Sequence, residues 1–127
     1  MEYVAIVLVL VLLQYSFFAF MVGLARGKYE VKAPAVTGHE MFERHYRVQQ
    51  NTLEQLVVFI PGLFLFASYL YAMTAAGIGM LFMLGRMLYY KSYVTDPKSR
   101  GPGFIISFIS AHVLLIGGLV GAVMKFL

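Results

Sequence analysis

A chain of 127 residues with 61% hydrophobic and only 13% charged side chains is the size of one domain, and water is not its main solvent, since soluble domains are about a quarter charged. The formal charge of +4 does not argue for a nucleic-acid partner: of the ten Lys and Arg residues, nine fall in two blocks, Arg26 to Arg47 and Arg86 to Arg100, with Lys125 alone outside them. With no cysteine there is no disulfide, no thiolate metal site and no protein thiol nucleophile, so any thiol chemistry must use sulfur brought by the substrate.

Tyr3 to Ala25 carries no charge, and its 23 residues exceed the roughly 20 that one helical span requires. Glu2 stands where a signal peptide would have a basic region, so this segment reads as an uncleaved first span with the N-terminus outside. A linker follows from Gly27 to His39, containing Pro34, Thr37 and Gly38. The next uncharged run, Gln55 to Gly85, is too long for one span, and the small residues of Met73 to Gly79 predict a tight turn inside it. The expected second helix is therefore about Glu40 to Ala72 and the third about Gly77 to Val94. A rigid linker, Thr95 to Pro102, places Pro102 in the first turn of a fourth span that runs to Met124. Alternating strand patterns are missing, which disfavours a barrel. The expectation is an all-α integral membrane four-helix bundle, one domain over residues 1–127, with both basic linkers on the cytoplasmic side.

Polar residues inside this pattern carry the functional signal. Arg47, Asn51 and Glu54 stand at i, i+4 and i+7, on one face of the second helix. A local ladder of ion pairs, Glu43 with Arg47 foremost, would account for part of it. On the third helix Arg86, Tyr89, Tyr90 and Tyr93 predict a second polar stripe near the same membrane surface, and charged groups at membrane depth face a bundle interior or a wet cavity. A polar cleft opening to the cytoplasm satisfies both stripes. Its arginines would clamp carboxylates, Glu54 would take an ammonium group, and Asn51 and Gln49 would bind amides. Glutathione has all these groups, but other peptides, lipid head groups and nucleotides fit as well.

Arg100 precedes Gly101-Pro102, where its charge adds to the positive end of the fourth helix and stabilises an anion. Lowering a thiol pKa from about 8.5 by two units takes about 2.7 kcal/mol of selective thiolate stabilisation. An ordinary lipid-facing role for Arg100 fits the residue pattern equally. His39 and His45 lack a metal-ligand pattern, so no metal is expected. His112 is expected to be interhelical glue, and Gly117, Gly118 and Gly121 to permit close helix packing.

The segment from Glu43 to Glu54, ERHYRVQQNTLE, resembles the E-R-x-x-R-x-x-x-N-x-x-E pattern of the membrane-associated proteins in eicosanoid and glutathione metabolism, the MAPEG family. Gly85-Arg86-Met87-Leu88-Tyr89-Tyr90 with Tyr93 is similar to the family's third helix. The resemblance covers almost the whole chain and is nearest the microsomal glutathione transferase and leukotriene C synthase type. It implies a homotrimer binding glutathione as cosubstrate between subunits. Arg47, Asn51, Glu54, Arg86, Tyr89 and Tyr93 would hold glutathione, and Arg26 and Gln49 would contribute from the adjacent subunit. Arg100 would activate the thiol, and a hydrophobic electrophile would arrive from the bilayer. Gln55 stands where catalytic relatives often have Tyr, and Gly27 replaces a second basic residue. Because the family includes a non-catalytic fatty-acid-binding member, the resemblance also leaves room for a lipid-binding or scaffold protein. A channel is disfavoured, since the charges gather at one end and give no continuous polar path.

Overall fold

The computed structural model describes residues 1–127, nearly all of them in four helices: α1 (Glu2–Tyr29), α2 (Glu40–Tyr69), α3 (Ala72–Thr95) and α4 (Gly101–Phe126). All four are long and apolar enough to cross a membrane. A helix satisfies its own backbone where no water can. The chain is therefore an all-α, multi-pass integral membrane protein.

Apolarity on every side of a helix does not say which side is inside; packing decides it. α1 buries Val4, Val7, Val11, Gln14, Phe18, Val22 and Ala25, a seam of three- and four-residue steps, while Ile6, Leu13 and Phe20 stay exposed for lipid. That seam meets α2 and α3, and α4 packs on the same two helices. Val4, Val11, Phe59, Leu63, Phe82 and Leu114 fill the centre, with the Phe59 and Phe82 rings stacked 4.1 Å apart. Close approach of α4 to α2 depends on missing side chains. A Cβ added at Gly62 would lie 2.9 Å from the Leu115 backbone nitrogen, and one at Gly118 would lie 2.6 Å from Leu65 Cβ.

Element boundaries differ from expectation in two places. The second turn lies at Leu70 and Tyr71, not within Met73 to Gly79, so α2 is shorter and α3 starts earlier than the pattern predicts. The small residues there serve packing: Ala75 and Ala76 are buried, and a Cβ on Gly79 would sit 2.6 Å from Val7 Cγ1. α1 also runs past its uncharged segment to Tyr29, because charged residues beyond the hydrocarbon continue a helix in water without cost. It ends where Glu30 turns left-handed at φ 58° and returns its N–H to Arg26 O.

Polar tethers differ as well. Glu43 forms no ion pair with Arg47; its carboxylate accepts from the Gly38 N–H at 3.2 Å. The ion pair on this helix is Arg44 with Glu40, at 2.6 Å. Arg44 also donates to the Val94 and Thr95 carbonyls, closing the end of α3 onto α2. Within the subunit His112 joins no other helix: its Nδ1 bonds Phe108 O on its own helix, and its ring stacks on Phe108 at 4.0 Å.

Candidate functional site

Antiparallel connections bring the end of α3 and the start of α4 beside the N-terminal half of α2. Asp96 bends the chain, its carboxylate accepting from the Lys98 N–H at 3.1 Å, and Pro97–Ser99 form one 3-10 turn. Arg100 then occupies the N-cap position of α4, with Pro in the next turn. This tight link keeps Arg100 next to Tyr93 across a short span of chain. Its guanidinium carbon is 6.0 Å from the Tyr93 ring, and Nη1 donates to Pro97 O at 2.8 Å.

Between these elements lies an open cavity of about 380 Å³, lined by Arg47, Asn51, Tyr89, Tyr93, Arg100, Gly101 and Phe104. Arg47 and Asn51 come from α2 and Tyr89 and Tyr93 from α3, as the two polar stripes predict. Gly101 and Phe104 belong to the first turn of α4. Tyr89 and Tyr93 stand 5.5 Å apart, and Phe104 closes the wall 6.4 Å from Tyr89. A Cβ on Gly103 would come within 2.4 Å of the Tyr89 backbone nitrogen, so α4 presses directly on α3 just beneath the cavity.

The remaining expected residues lie elsewhere in the subunit. Arg86 is 0% exposed and does not reach the cavity wall. Its Nη2 donates to Asn51 Oδ1 and to Thr52 Oγ1, each at 2.9 Å, and its Nη1 donates to Ser107 Oγ at 3.0 Å. Its guanidinium carbon also sits 4.3 Å from the Tyr89 ring centroid. Glu54 continues the Arg47 and Asn51 face but is exposed beyond the cavity, and Gln49 is half-buried off the wall. Arg26 binds Ala35 O at 2.7 Å and lies over the Phe42 ring. Tyr90 leaves the stripe: one residue turns a helix by about 100°, and the ring stacks on Phe18 of α1 at 5.1 Å. Gln55 is buried in the bundle, away from the wall.

Sequence reasoning missed Phe104, Gly101 and the partners of Arg86. A cation within a span demands acceptors at its own depth, and Thr52 and Ser107, hydroxyls on neighbouring helices, were the available signal.

Electrostatically the site is one-sided. Two guanidinium groups, Arg47 and Arg100, face the cavity with no carboxylate on its wall, and Arg86 adds a third cation beneath it. None of the three is in a salt bridge. Phenols and an amide surround them. Such a wall attracts an anion with several oxygen acceptors, and the positive end of α4 adds to the pull.

Comparison with known proteins gives the same direction. The sequence pattern of the MAPEG family matches residues 4–120. An uncharacterised protein of Synechocystis is 44% identical over 91% of this chain and 84% of its own length. Human microsomal glutathione S-transferase 2 is 40% identical over 90% of this chain and 78% of its own. Leukotriene C4 synthase of Cavia porcellus is 31% identical over 92% and 77%.

Proposed function

Because the chain belongs to the MAPEG family, we propose that it is a membrane-bound glutathione transferase that ionises the glutathione thiol and adds it to lipophilic electrophiles. The observation that carries this reading is the cavity wall, with two guanidinium groups, two phenols and an amide but no carboxylate. Glutathione as the thiolate carries two carboxylates, one ammonium group and the sulfur anion, a net charge that this wall attracts. Its size also suits the cavity, since ligand sites begin at about 300 Å³.

In this reading Arg47 takes a carboxylate through its planar fork, while Asn51, Tyr89 and Tyr93 hydrogen-bond the tripeptide. Arg100 faces the sulfur and stabilises its anion, helped by the positive end of α4. The thiolate forms a C–S bond to the electrophilic carbon, and the leaving group departs with the electron pair or an opened ring oxygen takes a proton. With a lipid hydroperoxide, the sulfur attacks the O–O bond. A second glutathione then completes the disulfide, with alcohol and water as the reduced products. The electrophile comes through the membrane, along the apolar troughs on α2 and α4.

Glu54, Gln49 and Arg26 fit this scheme as contributors across a homotrimer interface. Glu54 takes the ammonium group from the exposed continuation of the α2 face. The basic linkers face the cytoplasm in this reading, since cytoplasmic loops are enriched in Lys and Arg.

Detergent-purified protein should bind glutathione saturably, with the ultraviolet difference absorption of a thiolate, and should conjugate a generic aromatic electrophile. No glutathione binding refutes the proposal. A second reading, a non-enzymatic lipid-binding protein of the same fold, is favoured by the apolar trough at Phe66, Phe108, Ile109 and Val113, about 390 Å³ in volume. It predicts co-purifying lipid and no glutathione-dependent turnover.

A further inference from the structure

Arg86 is the largest fully buried side chain of the protein, and it is a cation with no carboxylate partner. It bridges three helices, from α3 to Asn51 and Thr52 on α2 and to Ser107 on α4. The three bonds do not have equal consequences. Thr52 Oγ also donates to Val48 O at 2.8 Å, and Ser107 Oγ to Gly103 O at 3.0 Å, so both hydroxyls hold their rotamers without Arg86. Arg86 is the one side-chain partner that the Asn51 amide has.

A guanidinium can only donate, so the atom of Asn51 that faces it must be the carbonyl oxygen. That leaves the Asn51 NH₂ group at the other end of the planar amide, turned away from Arg86, and Asn51 lines the cavity. We infer that Arg86 is a positioning residue: without touching the ligand, it fixes Asn51 as a hydrogen-bond donor toward the cavity and thereby selects a carboxylate or peptide carbonyl at that point. An amide released from Arg86 could present either end, and half of its orientations would set oxygen against oxygen. The buried cation does more than rigidify the bundle. It sets the polarity of one contact with the ligand.

This inference rests on glutathione being the ligand, and the experiment separates the two ideas. Glutathione affinity is measured by titration for the wild-type protein, Arg86→Met, Arg86→Lys, Asn51→Ala and the Arg86→Met/Asn51→Ala double variant, with thermal unfolding as a check of folding. Met keeps the volume and leaves no buried charge, so the bundle is expected to hold. Asn51→Ala should weaken binding about tenfold, the loss of one hydrogen bond to a charged group, and Arg86→Met about twofold, because half of the freed amide orientations are wrong. The double variant should be no weaker than Asn51→Ala, because Arg86 acts only through Asn51. Lys, another pure donor, should restore most of the affinity. Additive losses in the double variant overturn the inference, as does unchanged affinity in folded Arg86→Met. Should Arg86→Met fail to fold, the Arg86→Lys protein decides: affinity as poor as that of Asn51→Ala overturns the inference. Absence of binding by the wild-type protein overturns the functional reading and this inference together, whereas wild-type binding with additive losses overturns only the inference.

Discussion

Adding one methyl group at Gly103 should disable the site without touching any of its functional groups. The new Cβ would lie 2.4 Å from the Tyr89 nitrogen, 2.6 Å from its Cα and 3.0 Å from Gly85 O. All three are backbone atoms that cannot rotate away. Ordinary contact begins near 3.5 Å, so α4 must move off α3 by about 1 Å. Overpacking of this kind costs about 1–3 kcal/mol. The displacement matters more than the energy, because Arg100 and Phe104 ride on α4 while Tyr89 and Tyr93 ride on α3. A misplacement of about 1 Å can cost on the order of a hundredfold in rate. Gly103→Ala should therefore lose about two orders of magnitude in kcat/KM for glutathione conjugation of an aromatic electrophile, with a lower Tm in detergent. Gly77→Ala is the matched control. It lies within α3 with nothing inside 4 Å of its added Cβ, and it should hold or gain stability, as alanine is the better helix former by about 0.5–1 kcal/mol. Wild-type kcat/KM in Gly103→Ala would refute the argument that α3–α4 contact sets the geometry of the cavity.

Arg100→Ala should abolish the thiolate absorption of bound glutathione at neutral pH. Its rate deficit should shrink as pH rises through the ordinary thiol range near about 8.5, where ionisation needs no help; a pH-independent deficit would remove the thiol-activating role. Asn51→Asp gives the buried Arg86 a counter-ion at a position now 2.9 Å away. Its Tm should rise by roughly 3 °C, equivalent to about 1 kcal/mol, while glutathione binding is lost to an acceptor facing acceptors. A fall in Tm would contradict the uncompensated burial of Arg86. Phe59→Ala removes a ring that is 0% exposed and stacked on Phe82, at a cost of about 3–5 kcal/mol. Loss of the folded protein in detergent is the expected result, and a Tm within a degree of wild type would place the core elsewhere.

Hydropathy made the four spans legible, because three long uncharged runs stand out along the chain and the middle one is too long for a single helix. Arg47, Asn51, Tyr89, Tyr93 and Arg100 were legible for a related reason: polar groups are expensive in a membrane, so each one present stands out. All five line the cavity. Glycine was ambiguous. The same small residues that permit a turn also permit two helices to touch, and at Gly79 the second use is the one realised, with Val7 only 2.6 Å from an added Cβ.

The amino-acid order alone determined that this protein lives in a bilayer, crosses it four times and gathers nine of its ten cations in two blocks, since those properties depend on transfer between water and lipid, residue by residue. Which face of each helix turns inward depended on packing, because lipid and protein interior are equally apolar and hydropathy does not distinguish them. Only the tertiary structure separated Arg100, which borders the cavity, from Arg86, which is sealed among Asn51, Thr52 and Ser107. The two have the same charge, and their difference comes from the hydroxyls and the amide that neighbouring helices bring to the depth of one and not of the other.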